Sequence, residues 1–221
     1  MNDSKATVHI TKIAAASRQL DAAIRLFFMN EDELAIHTVA AAAFRILRDV
    51  SDNQDKNFTT EVFKLGIYNI AKRYAEGIVP EPELKLIKNS GIMTIVEKIV
   101  ADPDFDREHI EVNISKATEQ RAWPSKAANF LKHADRDVDE HLPIDEVENE
   151  KLLMAGCAAY LHLMRVPTPE IMAYYAFWAT KNDAVDEVGS EARGLAERIA
   201  KLPEAQRHGE CAKFIQQLKT K

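Results

Sequence analysis

An all-α, single-domain bundle of about eight to ten helices is the fold that three features of this sequence predict. Glycine (7) and proline (8) are scarce among 221 residues, which disfavours disordered and many-turned β classes. Apolar residues recur at helical spacing along most of the chain. One short run alternates instead, Ile110, Val112 and Ile114, and without a second such run to pair with it reads as a loop.

The first helix runs from Lys12 to Met29, where Ile13, Leu20, Ile24, Phe27 and Phe28 form one stripe. Asn30 reads as the N-cap of a second helix, with Glu33 at its third position. Ile36, Val39, Ala40, Ala43, Ile46, Leu47 and Val50 carry that stripe to the polar break Ser51–Lys56. The two helices form a hairpin, and the small run Ala40–Ala43 admits a close neighbour. Thr59 or Thr60 opens a third helix with Phe63, Ile67, Ile70 and Tyr74 on one face, closed by Gly77. Pro80 and Pro82 precede two shorter helices, Leu84–Lys88 and Ile92–Ala101, which Asn89-Ser90-Gly91 divides and Pro103 ends.

Beyond the loop, Ser115–Trp123 and Ser125–His133 read as helices on either side of Pro124. Asp145 with Glu148 repeats the capping pattern and starts the most apolar helix, Val147–Val166, which is expected to run through the centre. Thr168 followed by Pro169 opens another helix, whose Ile171, Tyr174, Tyr175 and Trp178 are expected to pack inward. Ser190–Leu202 and Pro203–Leu218 complete the series, the last with Cys211, Phe214, Ile215 and Leu218 on one face. No fixed-period repeat or long linker divides the chain, so one domain, 1–221, is expected, with a weaker seam near 80–103.

The net charge of −6 means that the overall field does not attract nucleic acid or anionic membrane, so that only a local basic patch could. The longest apolar segment, Leu152–Val166, is too short for a membrane span and contains His162 and Arg165. No membrane partner is expected. Two cysteines, Cys157 and Cys211, and an amino terminus without a continuous apolar stretch fit a protein of the reducing cytoplasm.

The densest polar constellation lies in WPSKAANFLKHADRD. On a helix starting at Ser125, Lys126, Asn129 and His133 share a face, and an ammonium, an amide and an imidazole together can bind a phosphate and move a proton. Lys132, Asp135, Arg136 and Asp137 extend this set as candidate ligand-binding residues. Equally, His133 caps the helix end while Asp135 and Asp137 pair with Arg136 and Lys132. His133, Asp137 and His141 have metal-ligand spacing if the helix continues, but Asp135–Glu140 holds four carboxylates that oppose such continuation, and no metal is expected. His37 and His162 read as hydrogen-bonded core histidines. If either met His133 the bundle would hold a polar pocket, which keeps His37 among the candidate ligand-binding residues. The aromatic residues Tyr160, Tyr174, Tyr175, Phe177 and Trp178 read as core, since no basic residues interleave with them. There is no phosphate-binding glycine loop, GxSxG elbow or paired CxxC, and no cofactor is expected.

The hairpin RQLDAAIRLFFMNEDELAIHTVAAAAFRILRDV and the string PSKAANFLKHADRD together resemble a bacterial family of helical proteins in which an AIxLFF…IHT…AA hairpin precedes an ANFFKHADRD-like segment. That resemblance spans roughly Arg18 to Asp137 and brings no activity with it. A helix ending in Asn-x-x-Lys-His is also similar to HEPN domains, helical bundles that commonly dimerise and in many members cleave RNA without metal. Their signature is an arginine, an adjacent polar residue and a histidine. His133 matches the histidine and Lys126 stands at the arginine, whose bidentate fork a lysine lacks, while Asn129 is three positions on.

The resemblance implies a HEPN-like up-and-down core, a homodimer, and contact with RNA, a nucleotide or another phosphate-bearing ligand. His133 would serve as general acid or base, with Lys126 and Asn129 stabilising the transition state. Two alternatives stand beside it: a non-catalytic dimerisation or interaction module, and a small-molecule or metal-binding helical bundle.

Overall fold

A computed structural model describes residues 9–54, 58–89, 91–102, 104–106, 109–111, 126–132, 139, 141–182 and 184–220. The described residues are all-α: they form ten α-helices and two 3₁₀ turns, with no strand among them. They gather into two compact units, one made of 1–55 with 123–221 and the other of 56–122.

In the larger unit, α1 (Lys12–Phe28) opens where Thr11 Oγ1 accepts the Ala14 amide at 3.1 Å. Its buried stripe is Leu20, Ala23, Ile24 and Phe28. Asn30 does not cap the next helix as expected. Its own N–H returns to the Phe27 carbonyl at 3.1 Å and its φ is +53°, so it closes α1 in a left-handed conformation that asparagine tolerates. Asp32 is the N-cap of α2 (Glu33–Asp52), accepting the Leu34 and Ala35 amides at 3.0 and 2.9 Å.

α6 (Lys126–Lys132) packs on α2. The expected cap at Asp145 is also displaced. Ile144–Glu146 is a 3₁₀ turn, closed by the Val147 amide on the Ile144 carbonyl at 3.1 Å, and α7 (Asn149–Met164) starts only after it. α7 packs chiefly on α2 and also on α1, burying Leu152, Leu153, Cys157 and Tyr160. At Gly156 an added Cβ would lie 2.8 Å from Leu20 Cδ1, so α1 and α7 approach this closely because no side chain intervenes.

Thr168 caps α8 (Pro169–Lys181) as its position suggested, its hydroxyl accepting the Ile171 amide at 3.2 Å. α8 buries Ile171, Tyr174 and Phe177, whereas Tyr175 and Trp178 are only half-buried because the inward stripe runs through Ala173, Ala176 and Ala179. α9 (Ser190–Ala200) and α10 (Glu204–Lys219) pack on α8 and on each other, with Cys211 and Ile215 buried. Cys157 and Cys211 are both free thiols.

The smaller unit contains α3 (Phe58–Ala75), α4 (Glu81–Asn89) and α5 (Met93–Ala101). Its core unites Ile67, Ala71, Ile87, Val96, Ile99 and Ile110. The Arg73 guanidinium bonds both Glu83 oxygens at 2.8 Å, joining α3 to α4. Gly77 has the expected positive φ, +72°. α4 starts at Glu81, ahead of the expected Leu84, because Pro82 lies in the first turn, where its missing N–H forgoes no helical bond. The 80–103 stretch, the expected seam, lies within this unit. Of the alternating run, Ile110 is buried without strand pairing, and Val112 and Ile114 lie outside the described residues, as does the helix expected at Ser115–Trp123. Among the described residues no helix is long and apolar enough to cross a membrane.

A buried polar network ties three helices of the larger unit. Glu170 of α8 is fully buried, and Arg25 of α1 and Lys219 of α10 both pair with its Oε1. Beside it, Asp21 accepts the Thr168 hydroxyl at 2.7 Å. Burial pushes the Asp21 carboxyl up to about 6, against the lowering effect of the Thr168 hydrogen bond, with the Glu170 charge adding to the rise and Arg25 and Lys219 opposing it. The folded chain therefore holds this proton more tightly than the unfolded chain. Its contribution is fully present below the ordinary carboxyl pKa of 3.8 and is lost as pH rises through about 6. Asp21→Asn is expected to exceed the wild type in stability at pH 7 by ~1–2 kcal/mol, discounted for partial exposure, and to lose that advantage near pH 4. Urea denaturation of both proteins across this range checks it, and a gap that widens toward pH 4 would contradict it.

Candidate functional site

Three segments of the larger unit meet around an open cavity of about 480 Å³: the turn between α1 and α2, the first turn of α7, and the second turn of α10. Each contributes polar side chains over an apolar floor that includes Phe27, Ile36 and Val147.

Behind one wall stands His37, fully buried in the first half of α2. Its Nδ1 lies 3.2 Å from Asn149 Oδ1, and Asn149 Nδ2 donates to the Glu33 carbonyl at 2.9 Å. Because the Asn149 amide nitrogen is spent on a carbonyl, its oxygen is the acceptor and His37 carries its proton on Nδ1. The His37 Nε2 is buried without a hydrogen-bond partner among the described residues. Burial lowers the His37 pKa, outweighing the Asn149 bond, so the ring is neutral at pH 7. His37 itself does not border the cavity. It holds Asn149, which does.

The opposite wall is His208. Its Nδ1 donates to Asn30 Oδ1 at 2.7 Å, and its ring lies 4.8 Å from Phe27, 5.5 Å from Phe28 and 5.0 Å from Phe177, centroid to centroid. Burial lowers its pKa, with Glu150 and Glu204 opposing and Lys181 assisting. The rim carries four carboxylates and one lysine. Glu148 pairs with Lys151, and Glu150 takes Lys181 on its two oxygens at 2.7 and 2.8 Å. Glu31 and Glu33 are exposed and pair with no cation among the described residues.

The sequence-prominent string is placed elsewhere. Lys126, Asn129 and Lys132 are exposed on α6, and Lys126 pairs with Glu146. Ala128, Leu131 and Lys132 border a separate groove of about 310 Å³ opposite Thr38, Arg45 and Ile46 of α2. His133, Asp135, Arg136 and Asp137 lie outside the described residues. His141 is exposed. His162 is half-buried and is not the core histidine expected, because the last turn of α7 runs outward, leaving Met164 44% exposed. No cluster of three or more His, Cys, Asp or Glu suited to a metal occurs among the described residues.

Asn30, Asn149 and His208 were not among the expected site residues. His208 had a readable signal, since it stands three and seven residues before Cys211 and Ile215 and so shares their inward face. Comparison with protein-family models, with curated proteins and with solved structures returns no match.

Asn149→Ala leaves the buried His37 Nδ1–H without its partner and removes the part-buried bond to the Glu33 carbonyl. It is expected to lower stability at pH 7 by ~1–3 kcal/mol in urea denaturation, and an unchanged midpoint would show that neither bond is held in solution.

Proposed function

We propose that the protein is a small-molecule-binding helical bundle whose ligand occupies the cavity bordered by Asn30, Glu33, Asn149 and His208. The observation that carries this reading is the convergence of polar side chains from separate segments on one cavity, with Asn149 held by His37 and the Glu33 carbonyl and Asn30 held by His208. These bonds fix how the segments meet, and they also leave polar groups at an open cavity that apolar residues of similar shape would have filled without desolvating amides and imidazoles. The volume falls in the range of ligand pockets, and the aromatic wall supplies apolar contact beside the polar groups.

A panel of small aromatic and aliphatic fragments, screened by ¹⁵N–¹H shifts, tests this proposal. Binders are expected to move the amides of Asn30, Glu33 and Asn149 and the His208 ring. A panel whose shifts fall elsewhere, or nowhere, rejects it.

A second reading draws on Arg45 and Lys132, which flank the groove between α2 and α6 and put two cations together on an acidic chain. In it a HEPN-like homodimer contacts the phosphates of RNA or a nucleotide on the face carrying Lys126 and Asn129, with His133 as general acid or base. Labelled RNA incubated in EDTA with the wild type and with His133→Ala decides the nuclease version. Cleavage that the variant lacks supports it; no cleavage, or equal cleavage by both, removes it.

A further inference from the structure

Resting on the ligand-binding reading of the cavity, we infer that its ligand is a protonated primary amine carried on a small aromatic or apolar body. Asn149 gives its oxygen to His37 and one of its two N–H donors to the Glu33 carbonyl, and the Asn30 oxygen takes His208, so the donors these two amides still offer are one N–H of Asn149 and the Asn30 Nδ2 group. His208 gives its Nδ1 proton to Asn30 and, being neutral, keeps Nε2 as an acceptor. Four rim carboxylates accept only, and the one rim lysine is committed to Glu148. Acceptors therefore dominate the free polar surface of the cavity, and the complementary ligand is rich in donors.

Charge gives the same answer. Two of the carboxylates are matched by Lys151 and Lys181, while Glu31 and Glu33, adjacent to Asn30 on the same turn, leave an unbalanced negative edge. Glu148 and Glu150 stand at the start of α7 and offset the attraction that its first-turn amides would have for an anion. The Phe27 ring, packed against Phe28 and Phe177, offers an apolar floor for the ligand's aromatic or apolar body.

The test titrates the full chain with 2-phenylethylamine, 2-phenylethanol and phenylacetate at pH 7, three probes sharing one ring and differing in charge. The amine is expected to bind about tenfold tighter than the alcohol, shifting the Asn30 and Asn149 side-chain amides and the His208 ring, and phenylacetate is expected not to saturate. The doubly substituted Glu31→Gln, Glu33→Gln protein, checked for unchanged helicity, is expected to lose most of that preference, and added salt to weaken the amine alone. If the alcohol or phenylacetate matches or exceeds the amine at those same resonances, the cation inference falls and the cavity reading survives. A preference that persists in the double variant also overturns it. If none of the three moves those resonances the cation inference falls, and the uncharged and anionic members of the fragment panel then decide the cavity reading separately.

Discussion

A single buried amide sets the geometry on which the larger unit depends. Asn149 stands at the first turn of α7 and bonds two groups of α2 at once, the His37 ring and the Glu33 carbonyl. Apolar packing between α2 and α7 tolerates small slides, because dispersion contacts are many and weakly directional. Two directional bonds, one of them to a fully buried imidazole, do not tolerate them, since a shift would leave the His37 N–H without a partner away from water. The register of α7 against α2 is thereby fixed, and with it the position of one cavity wall.

The other wall is fixed through α10, which is anchored near both ends. Near its start His208 bonds Asn30 and packs among three phenylalanines; in its last turn Lys219 joins Arg25 on the buried carboxylate of Glu170. A buried carboxylate is tolerated there because it receives two cations and sits in the first turn of α8, where the helix dipole favours negative charge. Both anchors reach α1 or the turn after it, so the α1–α2 hairpin is the common reference for the two walls. The left-handed Asn30 belongs to this design: it ends α1, turns the chain toward Asp32, and presents its side-chain oxygen to His208.

The contrast between α6 and the cavity shows how polar residues divide by role. Lys126, Asn129 and Lys132 are conspicuous in the sequence because they cluster, and they cluster on an exposed helical face, where polarity needs no further explanation. Asn149 and His208 are inconspicuous because most of their immediate chain neighbours are ordinary charged residues, yet the partners of both lie across the unit. Isolated polar residues on an otherwise apolar face carry more structural information than dense polar strings, since each must be matched by a partner from another helix.

Local chemistry made the all-α class, most helix positions and the Thr168 cap readable from the sequence, because periodicity and capping act within about four residues of chain. The cap expected at Asn30 falls at Asp32, and the helix expected to start at Asp145 starts only at Asn149 after a 3₁₀ turn; both outcomes rested on turn geometry that pattern does not encode. The pairings His37–Asn149 and Asn30–His208 join residues 112 and 178 positions apart. Only the tertiary structure decided them, because they depend on the angle and register at which several helices pack, and that arrangement is settled by the summed fit of the whole core.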